Sequence, residues 1–340
     1  MWPLIRLLPE KTNFTYVKFA GFAAFLSIAL VLGSITSMFT SGFRQSPIAM
    51  YQAAEGGPLE RLGAVLSEGF NLGIDFKGGT LLELQAPTPI DIGRVRAAVS
   101  ALNVGDIQVQ SFGDPRRALI RFETPAAADS ERVNADVRAR ISAAVNSVTF
   151  PRVEVVGPKV SEELFASGLI ALGLAILLML IYIWFRFEWQ FGLGGVLALF
   201  HDVILTLGLF SFFRLEFTLT IIAALLTIIG YSMNDTVVVF DRMRENLRKF
   251  KRMPLGQVID LSLNETLSRT IITGCTALLA LVGLLYFGGE ALSGFAIAMI
   301  FGIIVGTYSS LYVAAPAVLI WGVKRGGEGD TAPAAARGTA

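Results

Sequence analysis

Hydrophobic and polar positions divide the chain into two textures. Six long apolar runs, near 19–40, 163–185, 191–213, 217–240, 270–287 and 294–321, approach or exceed the about 20 residues that cross a bilayer as helix. The stretch between the first two, 41–162, has shorter periods. "TLLELQA" alternates and predicts a strand. "TPIDIGRVRAAVSAL" has the spacing of an amphipathic helix, with Thr88 as N-cap and Pro89 in its first turn. "IQVQSF" and "RALIRFE" flank the turn "GDPR" and predict a hairpin. A second helical pattern follows in "ADSERVNADVRARISAAVNSV", then a last strand in "RVEVVG". The order βαββαβ is the split, ferredoxin-like arrangement. The expected fold is therefore a polytopic α-helical membrane protein of six spans, with one α+β domain inserted between the first and second.

Composition supports this. Of 340 residues, 54% are hydrophobic and 16% charged, and the mean hydropathy is +0.62. A soluble domain has a different balance. The net charge of +1 gives no basis for nucleic-acid binding, and the lone Cys275 and lone His201 exclude a disulfide framework and a multi-histidine metal centre. No cofactor or metal is expected, and no enzyme. Lys and Arg in the short flanks orient the spans. Fourteen of them collect on the side of both termini, against Arg214 on the other, so the termini are expected in the cytoplasm. Residues 1–18 are then a cytoplasmic segment, 241–269 a basic cytoplasmic loop, and 322–340 a disordered tail.

Small residues recur where helices must pack closely. Gly294, Ala298, Gly302, Gly306 and Ser310 form a stripe on the sixth run, Thr273, Ala277, Ala280 and Gly283 one on the fifth, and Gly194, Ala198, Asp202 and Thr206 one on the third. These are packing surfaces, and such faces call for a neighbour. Ionisable residues inside the runs are less easily explained. His201 and Asp202 sit mid-way along the third run, Asn234 and Asp235 in the fourth, and Arg269 at the start of the fifth. A hydrogen-bonded packing contact is one reading of the acids. A proton or ion relay is the other, and it is the usual role of an intramembrane carboxylate. Arg269 is either an interfacial anchor or a counter-charge for Asp235; a helix running straight from about Leu255 would set it deep. Burial disfavours a charged carboxylate and a nearby cation favours it, so an acid moving between the two settings loads and releases a proton. In the inserted domain, Gly73, Asp75, Gly78 and Gly79 lie in "LGIDFKGGT" without a GxGxxG or Walker pattern, so a structural turn is expected rather than a phosphate loop. Further on, Pro158 blocks backward extension of the second span and Ser161 is its expected N-cap.

"GYSMNDTVVVFDRMREN", "NETLSRTIITG", "HDVILTLG", "GIDFKGGT" and "GTYSSLYVAAP", in order and over nearly the whole chain, resemble the SecF family of protein-export membrane subunits. The resemblance implies half of an RND-like, twelve-span assembly completed by a SecD partner. It implies association with the SecYEG channel, and with YajC and YidC, in the bacterial inner membrane. It implies use of the proton motive force to pull preprotein after SecA-driven insertion, with Asp235 and Arg269 in the proton pathway. It gives no role to His201, Asp202 or Asn234, which stay accessory candidates. A drug-efflux pump of the RND type and a passive scaffold are the competing classes. An external domain of about 117 residues is small for the first, and a buried acid serves no purpose in the second.

Overall fold

The chain is described from a computed structural model. It describes residues 12–40, 47–53, 57, 65, 69–100, 102, 104, 107–122 and 130–323. The first eleven residues, the junction at 41–46 and the tail from 324 lie outside the described residues. In chain order the elements are α1 (Tyr16–Thr40), α2 (Pro47–Ala53), β1 (Asn71–Leu72), α3 (Ile74–Lys77), β2 (Gly79–Gln85), α4 (Ile92–Ser100), β3 (Ile107–Phe112), β4 (Asp114–Phe122), α5 (Ser130–Ala144) and β5 (Thr149–Val156). There follow α6 (Pro158–Arg186), α7 (Trp189–Phe212), β6 (Glu216–Phe217), α8 (Leu219–Lys249), α9 (Leu255–Phe287), α10 (Glu290–Ser309), a π turn (Ser310–Ala314) and α11 (Ala315–Trp321). They form two compact units, one of residues 71–171 and 216–219, the other of the remaining helices.

The smaller unit carries an antiparallel sheet in the order β3-β4-β2-β5, with α4 after β2 and α5 after β4. That is the split βαββαβ arrangement. Its core is Leu82 and Leu84 of β2, Ile120 and Phe122 of β4, Val95 and Val99 of α4, and Val137 and Ile141 of α5, all fully or almost fully buried. The helix expected from Pro89 begins later. The Ile90 N–H is held by the Pro115 carbonyl (2.8 Å), and Asp91, not Thr88, caps the first turn by accepting the Arg94 N–H (3.1 Å).

Six helical segments among the described residues are long and apolar enough to cross a membrane: α1, α6, α7, α8, α9, and a last one, Leu292–Trp321, through α10, the π turn and α11. Their burial divides them. The apolar windows of α7, α8 and the last span are 61%, 56% and 56% buried, those of α1, α6 and α9 only 11%, 6% and 11%. The first three form the centre, around Phe191, Phe240, Met233, Ala314 and Val318. The small-residue stripe of the sixth span finds its neighbour within the chain. A Cβ on Gly302 would collide with Ile228 of α8, one on Gly306 would lie 2.9 Å from the Ser232 Cβ, and Ala298 is fully buried.

Three other features differ from expectation. The segment 241–269 is helical except at 250–254. It forms a hairpin in which Arg242 of α8 reaches Glu265 of α9 (2.7 Å) and Asn246 reaches Ser262 (3.0 Å) and Glu265 (2.6 Å). Ser161 is not an N-cap. Its N–H already donates to the Gly157 carbonyl (3.0 Å), so α6 begins at Pro158, where a missing N–H costs nothing. Finally, the last span is not a uniform α-helix. Pro316 has no N–H to give to the Tyr312 carbonyl, and its ring would crowd that carbonyl; the chain widens into the π turn there.

Candidate functional site

The central helices hold two polar sites in an apolar surround. The first is built on Asp202 of α7. Its Oδ2 accepts from the Ser232 hydroxyl of α8 and from the Ser309 hydroxyl of α10 (2.8 Å), while its Oδ1 lies 2.9 Å from His201 Nδ1. Asp202 is 1% exposed and His201 5%. One carboxylate thus ties three spans together. His201 Nε2 is buried and has no hydrogen-bond partner among the described residues. The His201 ring stacks on Tyr308 (6.0 Å), which stacks on Tyr312 (5.5 Å). The Tyr308 hydroxyl donates to the Ala23 carbonyl of α1 (2.9 Å). Beside this site the Thr236 and Ser310 hydroxyls pair at 2.8 Å, joining α8 to the π turn.

The second site is Asp235. It is one turn beyond Ser232 on α8 and 3% exposed. Its Oδ2 is buried with no hydrogen-bond partner among the described residues. A buried acceptor left unsatisfied costs about 1–3 kcal/mol, more if charged. Arg269 of α9 and Asp235 form no ion pair among the described residues. Because α9 runs unbroken from Leu255, Arg269 lies fourteen residues in, about 21 Å along the helix. Its side chain is exposed on the surface of this chain. Asn234 is exposed as well, so the two residues of "ND" lie on different faces of α8, one exposed and one buried.

The glycine motif of the smaller unit makes a third construction. Gly78 (φ 73°) and Gly79 (φ 113°) take the left-handed backbone that ends α3 and starts β2, as a structural turn requires. Leu72 and Asn71 pair in parallel with Phe217 and Glu216 of β6. The Gly73 N–H donates to the Phe217 carbonyl (2.8 Å), and a Cβ on Gly73 would sit 2.8 Å from Thr218 and 2.9 Å from Glu216. Asp75 Oδ2 then accepts the Leu219 N–H (2.9 Å) at the first residue of α8. A carboxylate there satisfies an orphan donor and faces the positive end of the helix dipole. Arg121 of β4 completes the clasp with an ion pair to Glu216 (2.6 Å). Burial pushes the Glu216 carboxyl up, against the pull of Arg121 and with the push of Asp75. The helix clasped in this way is the one that carries Asp235, sixteen residues on.

Two family models match the chain: "Protein export membrane protein SecD/SecF, C-terminal" over residues 136–324 and "SecD/SecF GG Motif" over 63–89. The protein translocase subunit SecF of Cereibacter sphaeroides is 43% identical over 332 residues, covering 95% of this chain and 94% of that one. That of Rhodobacter capsulatus is 43% identical over 339 residues, covering 95% and 93%. The chain belongs to the SecF family. A crystal structure of SecDF from Thermus thermophilus, a translocon-associated membrane protein, is similar with a TM-score of 0.74 at 33% identity. This chain covers 94% of itself in that match and spans 40% of the SecDF chain. A second SecDF structure, in a super-membrane-facing form, gives a TM-score of 0.58 at 32% identity.

Polar and ionisable positions inside the apolar runs single out Asp235, Arg269, Asn234, His201 and Asp202; Arg269 and Asn234 are exposed and the other three are buried. That pattern leaves out Ser232, Ser309 and Thr236 and takes Ser310 only as a packing residue, although these four hydroxyls hold the spans around the acids. Their signal is present but faint: each is a small polar residue on a face that also carries glycine or an acid. Nor does it foresee that Asp75 acts on a helix 144 residues away.

Proposed function

We propose that this SecF-family subunit converts proton movement at Asp235 into motion of the clasped domain, and that it does so with a SecD partner in the bacterial inner membrane, both termini in the cytoplasm. The observation that carries the reading is the buried Asp235 oxygen that no donor among the described residues satisfies. In the dry setting the neutral acid is the stable form, and approach of Arg269 favours the carboxylate. A small displacement between α8 and α9 therefore loads or releases a proton, and the two states differ in packing, as a switch requires. The exposed Arg269 supports a partner. An exposed guanidinium at the start of the apolar run of α9, with no ion pair among the described residues, is costly in lipid, and a second subunit covering α9 removes that cost. The sparsely buried α1, α6 and α9 offer the surface.

The work is late preprotein translocation through SecYEG after SecA-driven insertion, with YajC and YidC as further associates. One elementary charge crossing 100 mV supplies about 2.3 kcal/mol, so a few protons suffice to move a domain against modest load. In proteoliposomes with the partner and channel, Asp235→Asn keeps size and polarity but cannot ionise. It is expected to assemble normally and to lose the gradient-dependent gain in export while ATP-driven insertion persists. Full gradient-dependent export by that variant would return Asp235 to a packing role.

A further inference from the structure

At the end of the bundle where α6 stops and α8 runs on beyond the apolar core, Arg186, Asp241, Arg244, Glu245, Arg248 and Lys249 line an open cleft of about 700 Å³. Its charges are unequally matched. Asp241 is held by Arg186 (2.6 Å), and Glu245 by Arg242 (2.6 Å), which does not line the cleft. Arg244 is 3.9 Å from Asp241. Arg248 and Lys249 form no ion pair among the described residues. Both are exposed; Lys249 lies 5.1 Å from the Phe250 ring. Three cations therefore face a cleft whose two carboxylates are already engaged.

The level of the cleft in the membrane is marked by aromatic residues beside it. Trp184, Phe185 and Trp189 are 74%, 86% and 52% exposed and flank Arg186 in sequence. Exposed tryptophans on a spanning helix collect at the headgroup level. Directly before them α6 presents Leu177, Leu178 and Ile181 outward, an apolar surface fit for acyl chains. Guanidinium groups take phosphate oxygens in paired hydrogen bonds, and basic pockets between spanning helices suit anionic headgroups.

We propose that this cleft is a binding site for the phosphodiester headgroup of an anionic phospholipid, held by Arg244, Arg248 and Lys249 with its acyl chains along α6. The site is separate from Asp235 and stands whether or not the proton reading does.

The test is native mass spectrometry of the full chain in neutral detergent, titrated separately with phosphatidylglycerol and phosphatidylcholine. The expected result is tighter binding of phosphatidylglycerol, weakened about tenfold by Arg248→Gln with Lys249→Gln. The same charge removal at Arg94 and Arg132 in the other unit should have no effect. Both substituted positions are exposed, and a thermal melt of each variant reports its fold; Arg244→Gln alone gives a second loss of binding if the pair does not fold. Inorganic phosphate is the third ligand. Equal retention of the two lipids, unchanged binding in both the double and the Arg244 variants, or displacement of phosphatidylglycerol by millimolar phosphate would each overturn the proposal. The last outcome would make the cleft a free-anion site.

Discussion

Asp75 offers the sharpest test of the clasp around Glu216–Leu219. Its carboxylate receives the Leu219 N–H at 2.9 Å, and the Gly73 N–H beside it is held by the Phe217 carbonyl at 2.8 Å. Asp75→Ala removes both the acceptor and the charge. Loss of a capping acceptor costs about 1 kcal/mol. Asp75→Asn keeps an acceptor of the same reach and loses only the interaction with the helix dipole, about 0.5 kcal/mol. At 1.4 kcal/mol per factor of ten, opening of the clasp should become about fivefold more frequent in the Ala variant and about twofold in the Asn variant. Hydrogen exchange of the Gly73 and Leu219 amides reads this opening locally. The Leu82 amide, in the centre of the sheet, should keep its wild-type rate in both variants, because its core does not include Asp75. Unchanged exchange at Gly73 and Leu219 in the Ala variant would refute the clasp. So would faster exchange in Asn than in Ala, since that order cannot come from loss of an acceptor.

Two further outcomes follow from the packing. Gly302→Leu forces side-chain atoms into Ile228 and should lower the thermal midpoint of the purified chain by an overpacking cost of about 1–3 kcal/mol, while Gly283→Leu, with open space around it, should not. The loss must appear without any partner present; a defect seen only in the assembled complex would mean that the stripe packs elsewhere. Inserting about eight Gly and Ser residues after Gly157 makes the joint between β5 and α6 floppy. The insertion should leave folding and assembly intact and remove the gradient-dependent part of export, measured as the arrest point of a preprotein with ATP present and the gradient on or off.

The spans were legible because lipid leaves the backbone few choices, so apolar length alone marks them. The βαββαβ unit was legible because β2, β4 and the two helices each bury one face, and that periodicity survives in sequence. What was not legible shares a cause: partners that are close in space and remote in the chain. β1 and β6 are two residues each, too short to have a period. Thr88 and Ser161 have the chemistry of caps, yet the Pro115 carbonyl and the Gly157 carbonyl decide where those helices start. Asn234 and Asp235 are adjacent and equally polar, and only the packing of α8 separates the buried one from the exposed one. Asp235 itself stood out because an acid in an apolar run is conspicuous; Ser232 and Ser309, which hold Asp202 in place, do not stand out in that way.

The pairing of β1 with β6 has a consequence for how the chain is made. The sheet from β2 to β5 is complete once Val156 has been synthesised, but the strand that pairs with Asn71 and Leu72 comes only after α6 and α7. During synthesis the clasp is therefore an open end. It closes only when two spans have been threaded and Glu216–Leu219 is returned to the same side. Closing a loop of this length costs only slightly more entropy than closing a short one, so the delay is one of order rather than of affinity. A nascent chain stalled after β5 should contain a folded sheet with Gly73 unprotected; one stalled after α8 should have it protected. Closure of the clasp thus records that α7 has crossed the membrane in the right direction, and a chain with α7 inverted would have β6 on the wrong side and never close it.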